Sequence, residues 1–347
     1  MSGGIYLITL LGSGLMTGLV LGRFLRTDSV LLSKDEPSSR GLHDHVVPRG
    51  GGLAIFGCVA IAGVVVHLLQ SAKNAELDFL TIVSLTGVGV MGFLDDRFNL
   101  GVGLRLIVGL ILTTLLAVGS IGDHSLLVFG QTSDWSFAVV LLTGTIGLFW
   151  LMNLFNFMDG ADGVAGVQSL IASGALAIWF AASGEEFLAL LNVGLAGACL
   201  GFLWFNWAPA RVFMGDIGSL ALGAWFGIMS LIGVSQSGLP VEAFLILLSV
   251  FVFDATLTLV HRLLKRKRIT QAHREHLYQK LILAGWSHGK VAVLIGAMAF
   301  VAAVLATLVV WNPEHGLWFF LVALVMLVGY AKLTIRVSAN ISRRAAN

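Results

Sequence analysis

The chain has 347 residues, of which 57% are hydrophobic and 12% charged, and its formal net charge is +2. An ordinary soluble domain carries about twice that charged fraction, and the mean hydropathy of +0.92 also excludes that class of protein. Abundant glycine (42) and scarce proline (5) suit close packing of helices in a bilayer. The two cysteines, Cys58 and Cys199, lie in apolar runs without metal-like spacing and are predicted to be small core residues.

Long apolar stretches determine the predicted fold. A helix that crosses the roughly 30 Å hydrocarbon core needs about 20 residues. The sequence therefore predicts an all-α polytopic membrane protein, with about eleven transmembrane helices in a single domain over residues 1–347. The first span is not predicted to be a cleaved signal, because it is long and lacks a basic start. The predicted spans are 4–25, 51–70, 79–96, 102–120, 137–156, 164–183, 187–206, 217–234, 241–262, 290–311 and 317–335.

The basic residues predict the orientation in the membrane. If eleven spans alternate sides, all of the 21 lysines and arginines except Lys73 fall on one side. Because cytoplasmic loops carry the excess of Lys and Arg, we expect the N-terminus outside and the C-terminus in the cytoplasm. The conspicuous polar motifs fall on the same side, so a functional site is expected on the cytoplasmic loops.

One polar stretch lies at the end of the fifth predicted span. Two asparagines and two aspartates recur at every third residue, and each aspartate precedes a glycine: Asn153, Asn156, Asp159 and Asp162. Residues three apart on a helix are neighbours, and carboxylates beside a membrane are costly without a cationic partner. The spacing predicts a polar stripe that faces a metal ion, a phosphate group or both. The alternative is a pair of Asp-Gly turns between two spans.

Three further aspartates lie at the ends of predicted spans. Asp95 and Asp96 are adjacent, so their repulsion predicts a shared cation or a raised proton affinity; a solvated helix end is the alternative. Asp216 lies between glycines before a span, where a helix N-terminus favours an anion. It could instead be a helix N-cap with Ser219 as its partner. Because Mg²⁺ binds one or two carboxylates plus substrate phosphates, Asp216 and a stripe aspartate are candidate ligands.

The loop that contains His273, Arg274 and His276 follows a run of basic residues. No third zinc ligand is suitably placed nearby, so cationic side chains that bind phosphates are predicted, with plain surface positions as the alternative. Asp254 lies inside a predicted span, where an acid is a functional candidate. The alternative is a structural ion pair of Asp254 with Arg262 or Arg211.

Six ordered motifs between about residues 35 and 280 resemble those of the polyprenyl-phosphate N-acetylhexosamine-1-phosphate transferases, glycosyltransferase family 4. The last motif departs from the double-histidine form of the peptidoglycan branch and is more similar to bacterial O-antigen-initiating members. The motifs are Asp35-x-Pro37-x-x-Arg40 with Pro48-Arg49-Gly50-Gly51-Gly52, Gly92-Phe93-Leu94-Asp95-Asp96, Asn153-x-x-Asn156-x-x-Asp159-Gly160-x-Asp162-Gly163, Phe213-Met214-Gly215-Asp216-x-Gly218-Ser219, Phe253-Asp254-Ala255-Thr256 and His273-Arg274-Glu275-His276.

The resemblance implies a reaction and its partners. An N-acetylhexosamine-1-phosphate, or a related amino-sugar phosphate, would move from a UDP-sugar to undecaprenyl phosphate with release of UMP. The product would be the lipid-linked first sugar of a cell-surface glycan such as O-antigen. The family also implies Mg²⁺, with Mn²⁺ as a substitute, in the bacterial cytoplasmic (inner) membrane. Membrane lipids are further partners, a homodimer is compatible with the family, and no nucleic acid is expected.

The resemblance also implies roles for individual residues. Asp95 would deprotonate the lipid phosphate, and Asp96 and Asp159 would lie in or near the metal and pyrophosphate site. Asp216 would be the principal metal ligand, together with Asp159. Direct attack and a covalent aspartyl intermediate both stay open. The implied substrate-binding residues are Asn153, Asn156, Asp162, His273, Arg274, His276, Arg49 and His45.

Two other classes of protein share some of these features. A polytopic secondary transporter also has many spans with buried acids, but transporters place ionisable residues near the bilayer midplane and show internal repeats. A CDP-alcohol phosphatidyltransferase also uses tandem Asp-Gly turns and a metal. Its signature includes an Ala-Arg pair within one helix-borne motif, which this sequence lacks.

Overall fold

The structure is a computed structural model that describes residues 3–27, 29–35, 46–69, 79–268, 271 and 273–346, with the side chains of 62–69 and 340–346 excepted. Helices make up most of the described chain. They are α1 (Gly3–Arg26), α2 (Gly52–Leu69), α3 (Phe79–Phe98), α4 (Val102–Ser120), α5 (Phe137–Met158), α6 (Val164–Ala182), α7 (Glu186–Asn206), α8 (Asp216–Ser235), α9 (Val241–Leu247), α10 (Ser249–Leu264), α11 (Leu277–Leu283), α12 (His288–Trp311) and α13 (Gly316–Ala346).

These helices confirm the predicted all-α polytopic fold. Among the described residues, nine helices are long and apolar enough to cross a membrane, or ten if the bent pair α9 and α10 is one span. The remaining predicted span coincides with α2, whose described side chains, up to Ile61, are apolar. The last helix continues to Ala346, past its predicted end at 335.

The predicted span over 241–262 is divided into two helices. Helices α9 and α10 meet at an angle of 75°. Gln168 of α6 donates from Nε2 to the carbonyl oxygen of Leu247 over 3.3 Å. A broken helix leaves carbonyls without intrahelical partners, and this buried amide satisfies one of them. A neighbouring helix thus supplies the contact that accommodates the break, and no local signal in 241–262 reports it.

The central helix of the bundle is α8, in which every residue except Ser230 is buried. It packs against α3 and α5 through glycines at which the backbones approach closely. A Cβ atom on Gly223 would lie 2.4 Å from the carbonyl oxygen of Leu151, and a Cβ atom on Gly92 would lie 2.5 Å from that of Asp216. These contacts bring the ends of α3 and α5 to the beginning of α8.

Two short hairpins were not predicted. Strand β1 (Ser33–Asp35) pairs antiparallel with β2 (Val47–Arg49), and Arg49 also bridges Phe213. Strand β3 (Ser125–Val128) pairs with β4 (Gln131–Asp134), and the loop between them contacts Glu242 of α9 through a 3.0 Å hydrogen bond. Loops that were predicted on the same side of the membrane therefore contact one another. Which end of the helix bundle faces the cytoplasm stays a prediction.

Candidate active site

Three aspartates from two helices meet at the beginning of α8, and we call Asp95, Asp96 and Asp216 the acidic cluster. Asp95 and Asp96 lie in the last turn of α3, and Asp216 is the first residue of α8. Their side chains are only 5%, 5% and 9% exposed, respectively. Because buried carboxylates need charged or hydrogen-bonding partners, the two arginines that contact them are part of the site.

Arg49, at the end of β2, links the two helices. Its Nε lies 3.0 Å from Asp96 Oδ1, and its Nη2 donates to Asp216 Oδ1. A backbone hydrogen bond of 2.8 Å from Phe213 to Pro48 fixes the strand beside the segment that precedes α8. Burial acts to lower the pKa of Arg49, but Asp216 and Asp96 outweigh it and raise that pKa. The guanidinium therefore stays charged.

Arg105, in the first turn of α4, also belongs to the site, although its position in the sequence predicts only an orienting charge. Its Nη1 lies 2.5 Å from Asp95 Oδ2 and 3.5 Å from Asp216 Oδ2. The sequence did contain a signal for it. An arginine that follows two aspartates and opens an apolar span needs an acidic partner, since a charge at membrane depth is costly on its own.

Asp96 holds the N-terminus of α8. Its Oδ1 accepts from the amide of Asp216 (2.9 Å), and its Oδ2 accepts from the amide of Ile217 (3.1 Å). Helix N-termini expose such amides and favour an anion beside them. The N-cap itself is Gly215, with a φ of 79°, so Asp216 is not the cap. Its side chain is free to face the two arginines.

The asparagines of the predicted stripe separate. Asn156 donates from Nδ2 to Asp216 Oδ1 and to Ser219 Oγ, each over 3.0 Å. Asn153 donates instead to the carbonyl oxygen of Phe149 in its own helix, over 2.7 Å. Only Asn156 thus joins the acidic cluster directly.

Asp159 follows the last residue of α5 as its C-cap. Burial raises the pKa of Asp159 well above its usual range. Arg49 opposes this rise, whereas Asp216 and Asp96 add to it. Asp159 therefore lies within electrostatic reach of the acidic cluster, where its charged form is disfavoured unless a further cation arrives.

Asp162 connects three segments of the chain. Its Oδ2 accepts from the amide of Ala210 (3.0 Å), and its Oδ1 lies 3.1 Å from His288 Nδ1 in α12. The next residue is held as well, because the amide of Gly163 donates to Asn206 Oδ1 over 2.9 Å. These contacts anchor the loop that follows α5 and begins at Asp159.

Asp254 organises the histidine loop. It is fully buried, and its carboxylate accepts from the amides of Leu277 (2.8 Å) and Tyr278 (3.0 Å) at the start of α11, and from Tyr330 Oη (3.0 Å). His276 Nδ1 lies 3.3 Å from the same carboxylate. The alternative ion pair of Asp254 with Arg262 or Arg211 is not found. Arg262 pairs with Glu275 instead.

The histidines of this loop are more enclosed than predicted. The rings of His273 and His276 stack with centroids 5.0 Å apart, and His276 is only 2% exposed. Burial, His276 and Arg262 lower the pKa of His273 to about 4. The low pKa favours the neutral imidazole of His273 at pH 7 without a bound phosphate, while its role in binding phosphates stays a prediction.

Tyr278 joins the histidine loop to the end of α5. Its hydroxyl donates to the carbonyl oxygen of Phe157 (3.0 Å) and accepts from the amide of Gly160 (3.1 Å). The backbone on both sides of Asp159 is thus fixed against α11. Arg274 lies in this loop and is partly buried. His45 lies outside the described residues, as do Pro37 and Arg40.

The cluster offers oxygen ligands for a divalent cation. Within the described part of the chain, no three His, Cys, Asp or Glu side chains are placed to hold a metal by themselves. Mg²⁺ does not require such a cage, because it keeps waters and binds substrate phosphates. The three carboxyl groups of the acidic cluster face the guanidiniums of Arg49 and Arg105, and Asp159 lies within electrostatic reach of Arg49. When all are ionised, two negative charges are in excess, so the donor set fits Mg²⁺.

An apolar cavity of about 860 Å³ lies between α2, α3, α7 and α8. Phe93 and Ile217 line it close to the acidic cluster, and Phe79 and Phe187 line it towards the opposite ends of their helices. Its lining side chains are almost entirely hydrocarbon and aromatic. A charged site and space for a hydrocarbon chain therefore lie side by side.

Comparison with known proteins assigns the family. Residues 79–234, from α3 to α8, match Glycosyl transferase family 4. A probable undecaprenyl-phosphate N-acetylglucosaminyl 1-phosphate transferase of Bacillus subtilis (strain 168) is 29% identical, over 86% of this chain and 84% of its own. A phospho-N-acetylmuramoyl-pentapeptide-transferase of Borreliella burgdorferi (strain ZS7) is 31% identical, over 81% of this chain and 86% of its own.

The matched region includes the acidic cluster, Arg105 and Asp159. The relatives' names share one chemistry, the transfer of a sugar 1-phosphate or phospho-sugar. The resemblance that the sequence motifs indicated is thereby confirmed: the chain belongs to glycosyl transferase family 4, the polyprenyl-phosphate N-acetylhexosamine-1-phosphate transferases.

Proposed function

We propose that this protein transfers an N-acetylhexosamine-1-phosphate from a UDP-sugar to undecaprenyl phosphate and releases UMP. The observation that carries the proposal is the convergence of Asp95, Asp216, Arg49 and Arg105 at the beginning of α8. Two phosphate groups repel each other, so their reaction needs cations and aligned groups more than covalent chemistry. This site supplies both kinds of charge beside an apolar cavity.

The overall bond changes are those of a phosphoryl transfer. An oxygen of the lipid phosphate forms a bond to the β-phosphorus of the UDP-sugar, and the bond from that phosphorus to the bridging oxygen breaks. The leaving group is UMP, and the product is a lipid-linked sugar pyrophosphate. Direct attack and a two-step route through an aspartyl intermediate give the same products.

Individual residues of the site have distinct proposed roles. Asp95 accepts the proton of the lipid phosphate, and Arg105, which contacts both Asp95 and Asp216, keeps Asp95 ionised and correctly placed. Arg49 sits where it can contact a phosphate oxygen while bound to Asp96. Asn156 orients the carboxylate of Asp216. His273 and Arg274, in the loop before α11, would contact the nucleotide phosphates.

The proposed cofactor is Mg²⁺, or Mn²⁺ in its place, held by Asp216 and Asp159. The ion would neutralise charge on the transferring phosphates. Asp96, by contrast, is proposed to position Asp216 through the amides at the start of α8, since both of its oxygens are already engaged. The acceptor's prenyl chain would lie in the 860 Å³ apolar cavity.

The sugar is proposed from chemistry shared with the relatives. UDP-N-acetylglucosamine is the first candidate donor, because the Bacillus subtilis relative is named for that sugar. UDP-N-acetylmuramoyl-pentapeptide is the second candidate. We propose that the product initiates a cell-surface glycan, such as O-antigen, at the bacterial cytoplasmic membrane.

The direct test uses purified protein with undecaprenyl phosphate, Mg²⁺ and a panel of UDP-N-acetylhexosamines. We expect UMP release that requires both the lipid phosphate and the divalent ion. If no UDP-sugar yields UMP, while the protein in liposomes takes up a solute, the transporter alternative is supported and the transferase proposal fails.

Replacement of Arg105 by glutamine is expected to lower kcat by about 100-fold, in the range found for loss of one preorganised hydrogen-bond donor. The change removes the cation shared by Asp95 and Asp216. Steady-state UMP release measures it. Arg97→Gln is the matched control, because the exposed Arg97 donates to the carbonyl oxygen of Val30 and forms no ion pair with a carboxylate of the described residues. Equal losses in the two variants would contradict the role of Arg105.

Asp159→Asn is expected to raise the melting temperature of the substrate-free protein, and by more at pH 8 than at pH 5. The pKa of Asp159 is raised in the folded state, so the carboxyl group destabilises the fold increasingly as pH rises from its ordinary pKa towards the folded-state value. Asparagine removes this cost. The exposed Asp134 of β4 provides the control substitution Asp134→Asn. A gain that does not depend on pH would contradict this explanation.

A further inference from the structure

A second cavity, of about 740 Å³, lies between α1 and α7 and outside the acidic cluster. The arginines Arg23, Arg26 and Arg211 line it together with Trp204 and Phe205. We propose that this cavity binds the phosphate headgroup of an anionic membrane phospholipid. The inference concerns binding alone and does not depend on the proposed reaction.

The shape of the cavity follows from the glycines of α1. Helices α1 and α7 touch closely at Gly14, because a Cβ atom on Gly201 would lie 2.2 Å from the carbonyl oxygen of Gly14. Towards Arg26 the helices leave space. A Cβ atom on Gly18 would meet nothing within 4 Å, and one on Gly22 would meet only a ring carbon of Phe205 at 3.7 Å. The space left between the two helices at this level is the 740 Å³ cavity.

Among the described residues, the charged side chains that line the cavity are all positive. Within the part of the chain that the structure describes, no carboxylate forms an ion pair with Arg23, Arg26 or Arg211. Three guanidiniums in one cleft repel each other, and an anion between them relieves that repulsion. Arginine is suited to phosphate because its planar fork can donate two parallel hydrogen bonds.

Arg211 distinguishes this cleft from an ordinary row of surface charges. Its Nη2 donates to the carbonyl oxygen of Trp204 over 2.8 Å, and its guanidinium carbon lies 4.6 Å from the centroid of the Phe205 ring. The side chain is therefore held at the wall of the cavity, so less conformational entropy is lost when a phosphate binds.

A lipid headgroup fits better than free phosphate. Trp204 is 75% exposed, and such aromatic side chains are enriched at the depth of lipid headgroups. The remaining walls of the cleft, such as Leu19 and Leu25, are apolar. Free phosphate would use the arginines and leave this apolar surface uncovered.

A lipid bound in this cavity would stabilise the segment that leads to the candidate active site. The amide of Arg211 donates to the carbonyl oxygen of Phe205 (2.7 Å), and two residues later Phe213 donates to Pro48 beside Arg49 (2.8 Å). The segment from 207 to 215 thus links the cleft to the beginning of α8. Binding of the headgroup to Arg211 stabilises that segment.

The test measures quenching of tryptophan fluorescence in detergent-solubilised full-length protein by bromine-labelled phosphatidylglycerol and phosphatidylcholine. We expect the anionic lipid to bind more tightly, and its quenching to fall in Trp204→Phe. The pair Arg23→Gln with Arg211→Gln should weaken binding of phosphatidylglycerol roughly 30-fold, given the typical contribution of each basic residue to anionic lipid binding.

The control removes two charges from elsewhere on the protein. Lys332→Gln with Arg336→Gln, both exposed on α13, should leave binding of phosphatidylglycerol unchanged. Equal quenching of the wild-type protein by the two lipids would overturn the proposal, as would equal weakening in the control pair. Full displacement of the lipid by millimolar inorganic phosphate would show a free-phosphate site instead.

Discussion

Asp216→Asn is expected to reduce kcat at least about 1,000-fold, at the upper end of losses for a single transition-state contact. Asp216 is the point where the site's charges meet. Its carboxylate contacts Arg49, Asn156 and Arg105 at once. Asparagine keeps the shape but removes the charge, so it loses both the salt bridges and the proposed metal ligand.

This loss should arise without unfolding. The backbone amide of Asp216 remains bound to Asp96 in the variant, because that hydrogen bond does not involve the changed side chain. We therefore expect Asp216→Asn to insert, purify and melt close to the wild-type temperature. Turnover within tenfold of wild type in a folded variant would contradict the role of Asp216 as metal ligand.

Asp95→Asn is expected to lower kcat by about 100- to 10,000-fold, the range associated with loss of a general base. Asp95 Oδ2 is paired with Arg105, and Oδ1 accepts from the amide of Leu100 over 2.8 Å. The amide side chain of asparagine cannot take the proton of the lipid phosphate. The acidic limb of the pH profile of kcat should flatten as well, because the titrating group is gone.

The neighbouring residue provides the matched control. Asp96→Asn should lower the melting temperature, because asparagine has one acceptor oxygen for the two amides that Asp96 now binds, and a lost helix cap costs about 1 kcal/mol. Its pH profile should keep the wild-type shape. If Asp95→Asn and Asp96→Asn show the same profile, Asp95 is not the distinct proton acceptor.

The spans and the acidic motifs could be predicted from the sequence because both are local. Apolar stretches of sufficient length specify helices such as α8, and the adjacent pair Asp95-Asp96 reports a costly charge at a span end. The family motifs added the order of the elements. These signals do not depend on which helices become neighbours.

The partners of each side chain could not be predicted, since they depend on long-range packing. Arg105 meets Asp216, 111 residues away in sequence, because α3, α4 and α8 pack together. The carbonyl oxygen of Leu247 at the break finds its partner, Gln168, in another helix. Asp254 accepts a hydrogen bond from an amide of the seven-residue helix α11. The short apolar pattern of this helix did not predict it.

The polar stripe of residues 153–162 shows that spacing alone also fails where a helix ends. Its four polar residues do recur at every third position, but α5 ends at Met158. Asp159 and Asp162 therefore follow loop geometry, and Asp162 points to Ala210 and His288. Periodicity predicts a shared face only while the helix continues.

The measurement that tests the central claim most directly follows the β-phosphorus of the donor. Protein is incubated with undecaprenyl phosphate, Mg²⁺ and UDP-N-acetylglucosamine labelled with ³²P at the β-position, and lipid and aqueous products are separated. Transfer of a sugar phosphate predicts that the label enters the lipid while unlabelled UMP is released. Label that stays in the aqueous phase as UDP, with unlabelled sugar on the lipid, would contradict the account.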